Sequence, residues 1–439
     1  MRIVARGPVV AALLLVHLVW WAGGWLALLA ALRPKPARQR WFARRLVGLL
    51  RALGATFVKV GQIMSTRPDL LPPHVIEALE TLQDQVGAFA FRHVRRQIVE
   101  DFGAPPDALF ASFDPVPIAS ASVSQVHRAR LRDGRAVAVK VRRPGLDAIV
   151  RFDLAVMRAI ARVLAIAPSI RLMSPVESVG EFARAIHMQI DFRVEAANNR
   201  RFRANFGGHP DVRFPELVPE LCSARVLTME FIDGRKVLDY DPAVSDPRRL
   251  ARIGFHTLLK MVFADGFVHA DLHPGNILVT PDDRVVIIDL GLVAELDDLH
   301  RRIFAQYFAA WAAGDATTMA RIMVEFSPSA KVGDYAAFER DVVAFVDRYY
   351  GKALGEVEAS KVAFDMMGVM RRHRVRANPT FTMVNIAIAV TEGIGKQLAP
   401  DLDLMSEAAP FFAAVELGPA VVRGDDAGGG ARAARSHSG

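Results

Sequence analysis

Residues 266–292 read GFVHADLHPGNILVTPDDRVVIIDLGL. A polar octet, HADLHPGN, is followed by two apolar runs, and this pattern limits what the chain can become. ILVT (277–280) and VVIIDL (285–290) read as short strands around a turn at Asp282 and Asp283. Asp271 stands at the start of the loop, where a carboxylate can orient a hydroxyl and accept its proton. Asn276, five residues on, offers an amide carbonyl, a hard oxygen suited to Mg²⁺. Asp289 ends the second strand two residues before Gly291, which permits a tight turn; its carboxylate is a second metal ligand facing phosphates.

Two upstream residues complete the pattern. Lys140 lies in VAVKV, a strand expected to alternate in burial, and Glu195 lies on the long helix that follows. A strand lysine and a helix glutamate can pair and so hold an ammonium against nucleotide phosphates. Each residue alone has a bland reading, such as a surface lysine. The ordered set of strand lysine, helix glutamate, Asp-x4-Asn and strand-Asp-x-Gly specifies a kinase-like cleft. A different reading of the loop takes His269, Asp271 and His273 as metal ligands, with Asp289 completing a hydrolase site. It has no third histidine motif and leaves Asn276 and Lys140 unexplained, so both histidines are expected to pack the loop by hydrogen bonds.

A chain of 439 residues, 52% hydrophobic, is too long for one ordinary core and implies two lobes plus additions. The single cysteine, Cys222, cannot form an internal disulfide, which fits a reducing compartment. The formal charge of +8 favours an anionic partner. No basic patch interleaved with aromatics and no zinc-finger or RNP spacing is present, so nucleic acid is not the expected partner and anionic membrane lipid is. Residues 9–32, VVAALLLVHLVWWAGGWLALLAAL, carry no formal charge. A helix over them would be about 36 Å long at about 1.5 Å per residue, enough to cross a core of about 30 Å. Arg33, Lys35, Arg38, Arg40, Arg44 and Arg45 follow it, which places the rest of the chain on the cytoplasmic side of a bacterial-type membrane. A signal peptide would have a shorter apolar core. A helix lying in the membrane plane is the other reading, because Trp20, Trp21 and Trp25 sit mid-segment.

The expected fold class is α+β: a two-lobed protein-kinase-like fold with an N-terminal helical extension and an N-terminal membrane helix. Its parts are an anchor and basic linker (1–50), the helical extension (51–115), an N-lobe (116–228), a helical C-lobe (229–400) and a C-terminal segment with a low-complexity tail (401–439). Pro34 and Pro36 are expected to end the apolar helix. SVSQVHRARL and RAVAVKVRR read as strands joined by Arg132-Asp133-Gly134-Arg135. One long helical stretch is expected over 146–206. RVLTMEFI (225–232) reads as a strand, and the lobes meet near 229–234, so that Glu230 and Ile232 border the nucleotide.

Several further motifs resemble the UbiB family, the aarF-domain atypical kinases. FVKVGQIMSTRPDLLP (57–72), with Leu82-Gln83-Asp84 after it, is similar to the family's KxGQ signature. PIASASVSQVHRA (117–129) is similar to the alanine-rich loop that stands in for a glycine-rich phosphate loop. DFRVEAANN, MEFIDG, HADLHPGN and TEGIGKQLAP also match, so the likeness spans roughly 50–405. It implies ATP or ADP with Mg²⁺ between the lobes and altered nucleotide selectivity, with Ala119, Ser120, Ala121 and Ser122 around the phosphates. It implies that the KxGQ helix lies over the cleft, with Lys59 and Gln62 reaching in, and that activity on proteins is weak or absent. It also implies support of isoprenoid quinone synthesis, with that pathway's enzymes or isoprenoid lipid intermediates as partners. The alternatives from other classes are a small-molecule kinase of the aminoglycoside or choline kinase type and a nucleotide-binding scaffold without catalysis.

The chain departs from the family pattern in places. Gln189, Ile190 and Asp191 replace the usual Glu-x-Asp, so Gln189 is left to hydrogen-bond Lys59 where a carboxylate would pair with it. Gly87-Ala88 replaces a proline pair. Ala270 stands where protein kinases carry arginine, and no Ala-Pro-Glu segment follows Asp289, so control by activation-loop phosphorylation is not expected.

Overall fold

The computed structural model describes residues 34–65, 71–79, 81–82, 87–166, 175–328, 332–350 and 359–402, with scattered positions between 7 and 24. Most of the 9–32 segment, Gln83, Asp84 and the tail from 403 lie outside the described residues. Among the described residues no helix is long and apolar enough to cross a membrane, so the expected membrane helix is not found among them. Two of the described positions there pack on the protein. Val10 is buried, and Leu13 packs on the same apolar cluster. Leu15, Val16, Val19 and Trp20 remain exposed, with the Arg45 guanidinium 5.3 Å from the Trp20 ring.

The extension consists of α1 (Lys35–Leu53), α2 (Ala55–Ser65) and α3 (Pro73–Leu79). Pro34 and Pro36 open α1 as well as following the apolar run: Pro34 is its extended N-cap and Pro36 lies in its first turn, where a missing N–H is harmless. The KVGQ stretch falls on α2, and its glycine is there for packing. A Cβ on Gly61 would lie 2.2 Å from Leu82 Cδ1 and 2.9 Å from Leu50 Cδ1.

After α4 (Phe91–Phe102) come β1 (Ser112–Phe113), β2 (Ala119–Ser120), β3 (Ser124–Arg130) and β4 (Ala136–Arg142). The expected hairpin forms. Ser124 pairs with Arg142 through to Arg130 with Ala136, and Gly134 takes the left-handed φ of 93° at the turn. With β6 (Val226–Glu230) the sheet runs β1-β3-β4-β6, with β2 also on β3. Val94 and Ile98 of α4 close its back against Val137, Val139 and Val141. Burial along β4 does not alternate to the end: Lys140, Val141 and Arg142 are all buried, because the KVR end is covered on both faces.

Among the described residues of 146–206 the helical stretch comprises α5 (Leu146–Leu164), α6 (Pro175–Ile190) and α7 (Phe192–Asn205). Asp191 is extended, at φ −101° and ψ 101°, and its side chain accepts from Arg193 N, so it caps α7 and ends α6. Phe182, Ala183 and Ile186 of α6 and Leu146, Val150 and Leu154 of α5 form one core with Leu50, Leu53, Phe57 and Val58 of the extension.

The second lobe carries a four-stranded sheet in the order β5-β10-β9-β7, from β5 (Val212–Arg213), β7 (Arg235–Lys236), β9 (Ile277–Val279) and β10 (Val285–Ile287). β5 precedes the expected lobe boundary yet pairs in parallel with β10, Val212 opposite Val285. β8 (Phe267–His269) pairs with β11 (Val293–Glu295). Helices α8 (Pro247–Leu259), α9 (Asp298–Ala313), α10 (Ala316–Glu325), α11 (Tyr335–Tyr349), α12 (Ala359–Arg372) and α13 (Pro379–Leu398) build the rest. Asp246, Asp297, Asp315, Asp334 and Asn378 cap five of them through side-chain acceptors, each contributing about 1 kcal/mol.

Candidate active site

The two lobes meet at one ammonium. Lys140 Nζ donates to Glu195 Oε1 at 3.0 Å and Oε2 at 2.9 Å, and to Asp289 Oδ1 at 3.0 Å. It comes from β4, Glu195 from α7 and Asp289 from the turn after β10. Lys140 and Glu195 are 8% and 4% exposed, so their charges are worth far more to each other than in water. The Asp289 side chain is 51% exposed, so it is the member that faces the cleft. Burial works against a charged Lys140, yet Asp289 and Glu195 outweigh it and hold the ammonium above its usual range. Burial pushes the Glu195 carboxyl up, against the pull of Lys140. Lys140 draws Asp289 down to about 2, burial opposing and Lys59 of α2 adding to the pull.

Asp289 has φ 56°. The left-handed residue of this turn is therefore the aspartate and not Gly291, which shows no positive φ. Aspartate tolerates that region better than most residues, and an outlier of this kind at a cleft marks a constrained site.

The HADLHPGN loop is held by its own polar groups. The His269 ring is fully buried. Its Nδ1 accepts from Asp271 N at 3.1 Å, which leaves Nε2–H directed at the Ile288 carbonyl 3.4 Å away. Burial keeps this imidazole below its usual range, so it stays neutral. His273 Nδ1 accepts from Gly275 N at 3.0 Å. Both histidines pack the loop, and among the described residues no cluster of three or more His, Cys, Asp or Glu side chains forms a metal site. Asn276 Nδ2 donates to the Asp271 carbonyl at 3.0 Å, and the Asn276 carbonyl accepts from Ile288 N at 2.9 Å. The loop and the strand ending at Asp289 are thus tied together at Asn276, whose side-chain oxygen is left as a ligand atom. The Asp271 carboxylate accepts no hydrogen bond among the described residues.

Comparison with known proteins gives this geometry a relationship. The ABC1 atypical kinase-like domain matches residues 81–323, and the UbiB helical domain matches residues 342–403. The chain belongs to the ABC1/UbiB family of atypical kinase-like proteins. It is 36% identical over 374 residues to the probable protein kinase UbiB of Aeromonas salmonicida, covering 82% of this chain and 68% of that one. It is 35% identical over 408 residues to that of Pseudomonas entomophila, covering 88% and 75%. Rv3197 of Mycobacterium tuberculosis, solved as a complex with erythromycin, superposes with a TM-score of 0.56 at 25% identity, covering 80% of this chain and 90% of that chain.

The features that set this UbiB-family chain apart lie in the first lobe and the extension. Lys59 reaches the site in the sense that its charge acts on Asp289. Gln62 turns the other way: its Nε2 donates to the Leu82 carbonyl at 3.0 Å, and its Oε1 is buried without a partner. Gln189 Oε1 is likewise buried and unpaired. A lysine can only donate, so the expected Gln189–Lys59 hydrogen bond is absent. Asp191 is committed to Arg193, with Oδ2 accepting from Nη2 at 2.7 Å, and that contact holds its carboxyl below the usual range. It caps α7 and touches neither Lys59 nor Lys140 through a hydrogen bond among those described. The side chain of Glu230 is also engaged, accepting from Arg213 Nη1 at 2.9 and 2.8 Å. Only its backbone and that of Ile232 remain for the junction between the lobes.

In the alanine-rich loop, Ala119 and Ser120 form β2, and Ser122 is buried with an unpaired Oγ. Sequence reasoning missed what fixes this loop. Arg143 donates to the Ala121 carbonyl at 2.9 Å, to Ser120 Oγ at 3.2 Å and to the Gly87 carbonyl at 2.8 Å. It also missed the rest of one face of α7. Asn198 Nδ2 donates to the Leu290 carbonyl at 2.8 Å, and Arg201 pairs with Glu295. Glu195, Asn198 and Arg201 recur every three residues, the spacing of one helix face, which was the signal available.

Proposed function

We propose that the chain is an ATP-dependent atypical kinase or ATPase that supports isoprenoid quinone synthesis of the ubiquinone type at a membrane surface. The observation that carries this reading is the single ammonium of Lys140 held at once by Glu195 and Asp289. A lysine so placed is pre-aligned for the α- and β-phosphates of a nucleotide, and the glutamate keeps it there when the aspartate is drawn to a cation.

The donors fit a magnesium nucleotide. Asn276 and Asp289 present hard oxygen atoms of the type Mg²⁺ takes, and Ser122 keeps a buried hydroxyl without a partner in the loop beside the phosphates. Bound Mg²⁺ would supply neutralisation of phosphate charge. Lys140 would hold the phosphates, Glu195 would orient Lys140, and Asp271, whose carboxylate is uncommitted, would orient the attacking water or hydroxyl and take its proton. With little covalent chemistry for the protein to perform, positioning and fixed charge carry the rate. Quinone synthesis rests on the resemblance to the UbiB family alone. A membrane surface as partner rests on the charge of +8 and on exposed Leu15, Val16, Val19 and Trp20.

ATP turnover by purified protein with anionic liposomes tests the proposal. Asp289→Asn is expected to lower turnover about 100-fold or more. Turnover equal to wild type would sink it. Phosphate incorporation into a soluble alcohol faster than ATP hydrolysis would point to a small-molecule kinase. Full rescue of quinone levels in a deletion strain by Asp289→Asn would point to a scaffold.

A further inference from the structure

A cavity of ≈60 Å³ lies where the matched kinase-like domain meets the matched helical domain. Phe304 and Tyr307 of α9 and Met323 of α10 line it from one side, and Met367 and Met370 of α12 and Asn385 of α13 from the other. None of the residues of the Lys140 site takes part. One water needs about 10–15 Å³ by a comparable measure, so the space holds roughly four to six waters or one slender molecule. Waters need two to four polar partners each, and this lining is mostly thioether and aromatic ring. Three polar side chains stand at the cavity, and one of them, Asn378, is taken up in capping α13, its Oδ1 accepting from Thr380 N at 2.9 Å. The Tyr307 hydroxyl has no hydrogen-bond partner among the described residues. Asn385 gives its Nδ2 to the Phe381 carbonyl at 2.9 Å, which leaves its side-chain carbonyl unpaired among them. Burial pushes the Tyr307 phenol up, so it remains a donor at any physiological pH.

A mainly apolar space with a few convergent polar groups, at a seam between domains, has the lining of a small-molecule site, on a smaller scale than most. Methionine side chains also let such a space widen around a guest. We propose that this cavity binds a slender apolar small molecule carrying one hydroxyl or carbonyl group, its polar end on Tyr307 and Asn385 and its body among the methionines. The proposal does not depend on the reading of the Lys140 site.

1-Hexanol is a suitable probe. Followed by saturation-transfer NMR with the full chain, it is expected to bind saturably. Tyr307→Phe is expected to weaken binding about 3- to 10-fold, and Ala363→Phe, which fills the space, to abolish it, with melting curves checking that both fold. No saturable binding to wild type, or equal binding to wild type and folded variants, overturns the proposal and leaves a cavity holding water only. Should Ala363→Phe fail to fold, Tyr307→Phe decides alone, because it removes a hydroxyl and leaves the ring packing. Neither variant alters Lys140, Glu195, Asn276 or Asp289, so ATP turnover measured beside it separates this result from the function proposed above.

Discussion

The Lys140 cluster and the helical extension, its proposed cover, are held in opposite ways. At the cluster the key polar groups are paired: Lys140 with two carboxylates, His269 and Asn276 with the backbone of their own loop. In the extension and in the loop and helix beside it, Thr56 Oγ1, Gln62 Oε1, Ser122 Oγ and Gln189 Oε1 are all buried with no partner. Each such atom costs about 1–3 kcal/mol. What keeps the cover in place is apolar contact, from Leu50, Leu53, Phe57 and Val58 against Phe182 and Ile186. Directional charge therefore holds the cluster, and non-directional burial holds the extension. A protein built this way can tolerate substitution in the cover and very little at the cluster.

The largest expected effect tests the cluster. Lys140→Met leaves Glu195 buried and uncompensated, which is expected to cost about 3–5 kcal/mol in chemical denaturation and to lower ATP turnover about 100-fold or more. Adding Glu195→Leu should restore much of the stability and none of the turnover; a double variant no more stable than the single one breaks the account of the ion pair. Gly61→Ala probes the cover. The added Cβ would press the ends of Leu82 and Leu50, so a loss of about 1–3 kcal/mol is expected, and a neutral result would show that the two leucines simply move aside. Gln189→Met should go the other way. It removes an unpaired buried oxygen and is expected to stabilise by about 1 kcal/mol, whereas a loss would mean that the amide has an unseen partner.

The smallest effect is in pH. Asp289 is held down to about 2, below the unfolded value of about 3.9. The stability it contributes is thus complete above about pH 4 and is lost as pH falls through about 2. The gap in stability between wild type and Asp289→Asn should stay constant from pH 7 to about 5 and close between about 4 and 2. A gap that closes near neutrality would mean that another group is titrating.

Much of the cluster could be read from the chain because its signals are local. Asp271, Asn276 and Asp289 lie within one loop-strand-turn-strand unit, and the Asp133-Gly134 hairpin sets the strand that carries Lys140. The break at Asp191, between α6 and α7, was also written there, but helical periodicity on either side hid it. Asp191 looked like a gate because the resemblance placed a carboxylate there. Its short side chain accepts from Arg193 N in the first turn of α7, meeting a need every helix start has.

Sequence by itself determined the kinase-like fold, the family and the Lys140–Glu195 pair, since residue type and order suffice for chemistry that needs an amine, carboxylates and an amide in a set succession; it read Asp289 as a metal ligand, and the bond from Lys140 to it came from the structure. Only the tertiary structure decided what those residues touch. Asn198 meets Leu290 across 92 positions, β5 crosses the expected boundary to pair with β10, and Gln189 has its carbonyl sealed away from Lys59. Such contacts depend on how separate elements pack and on which polar atoms that packing encloses, and no local pattern of residues records either.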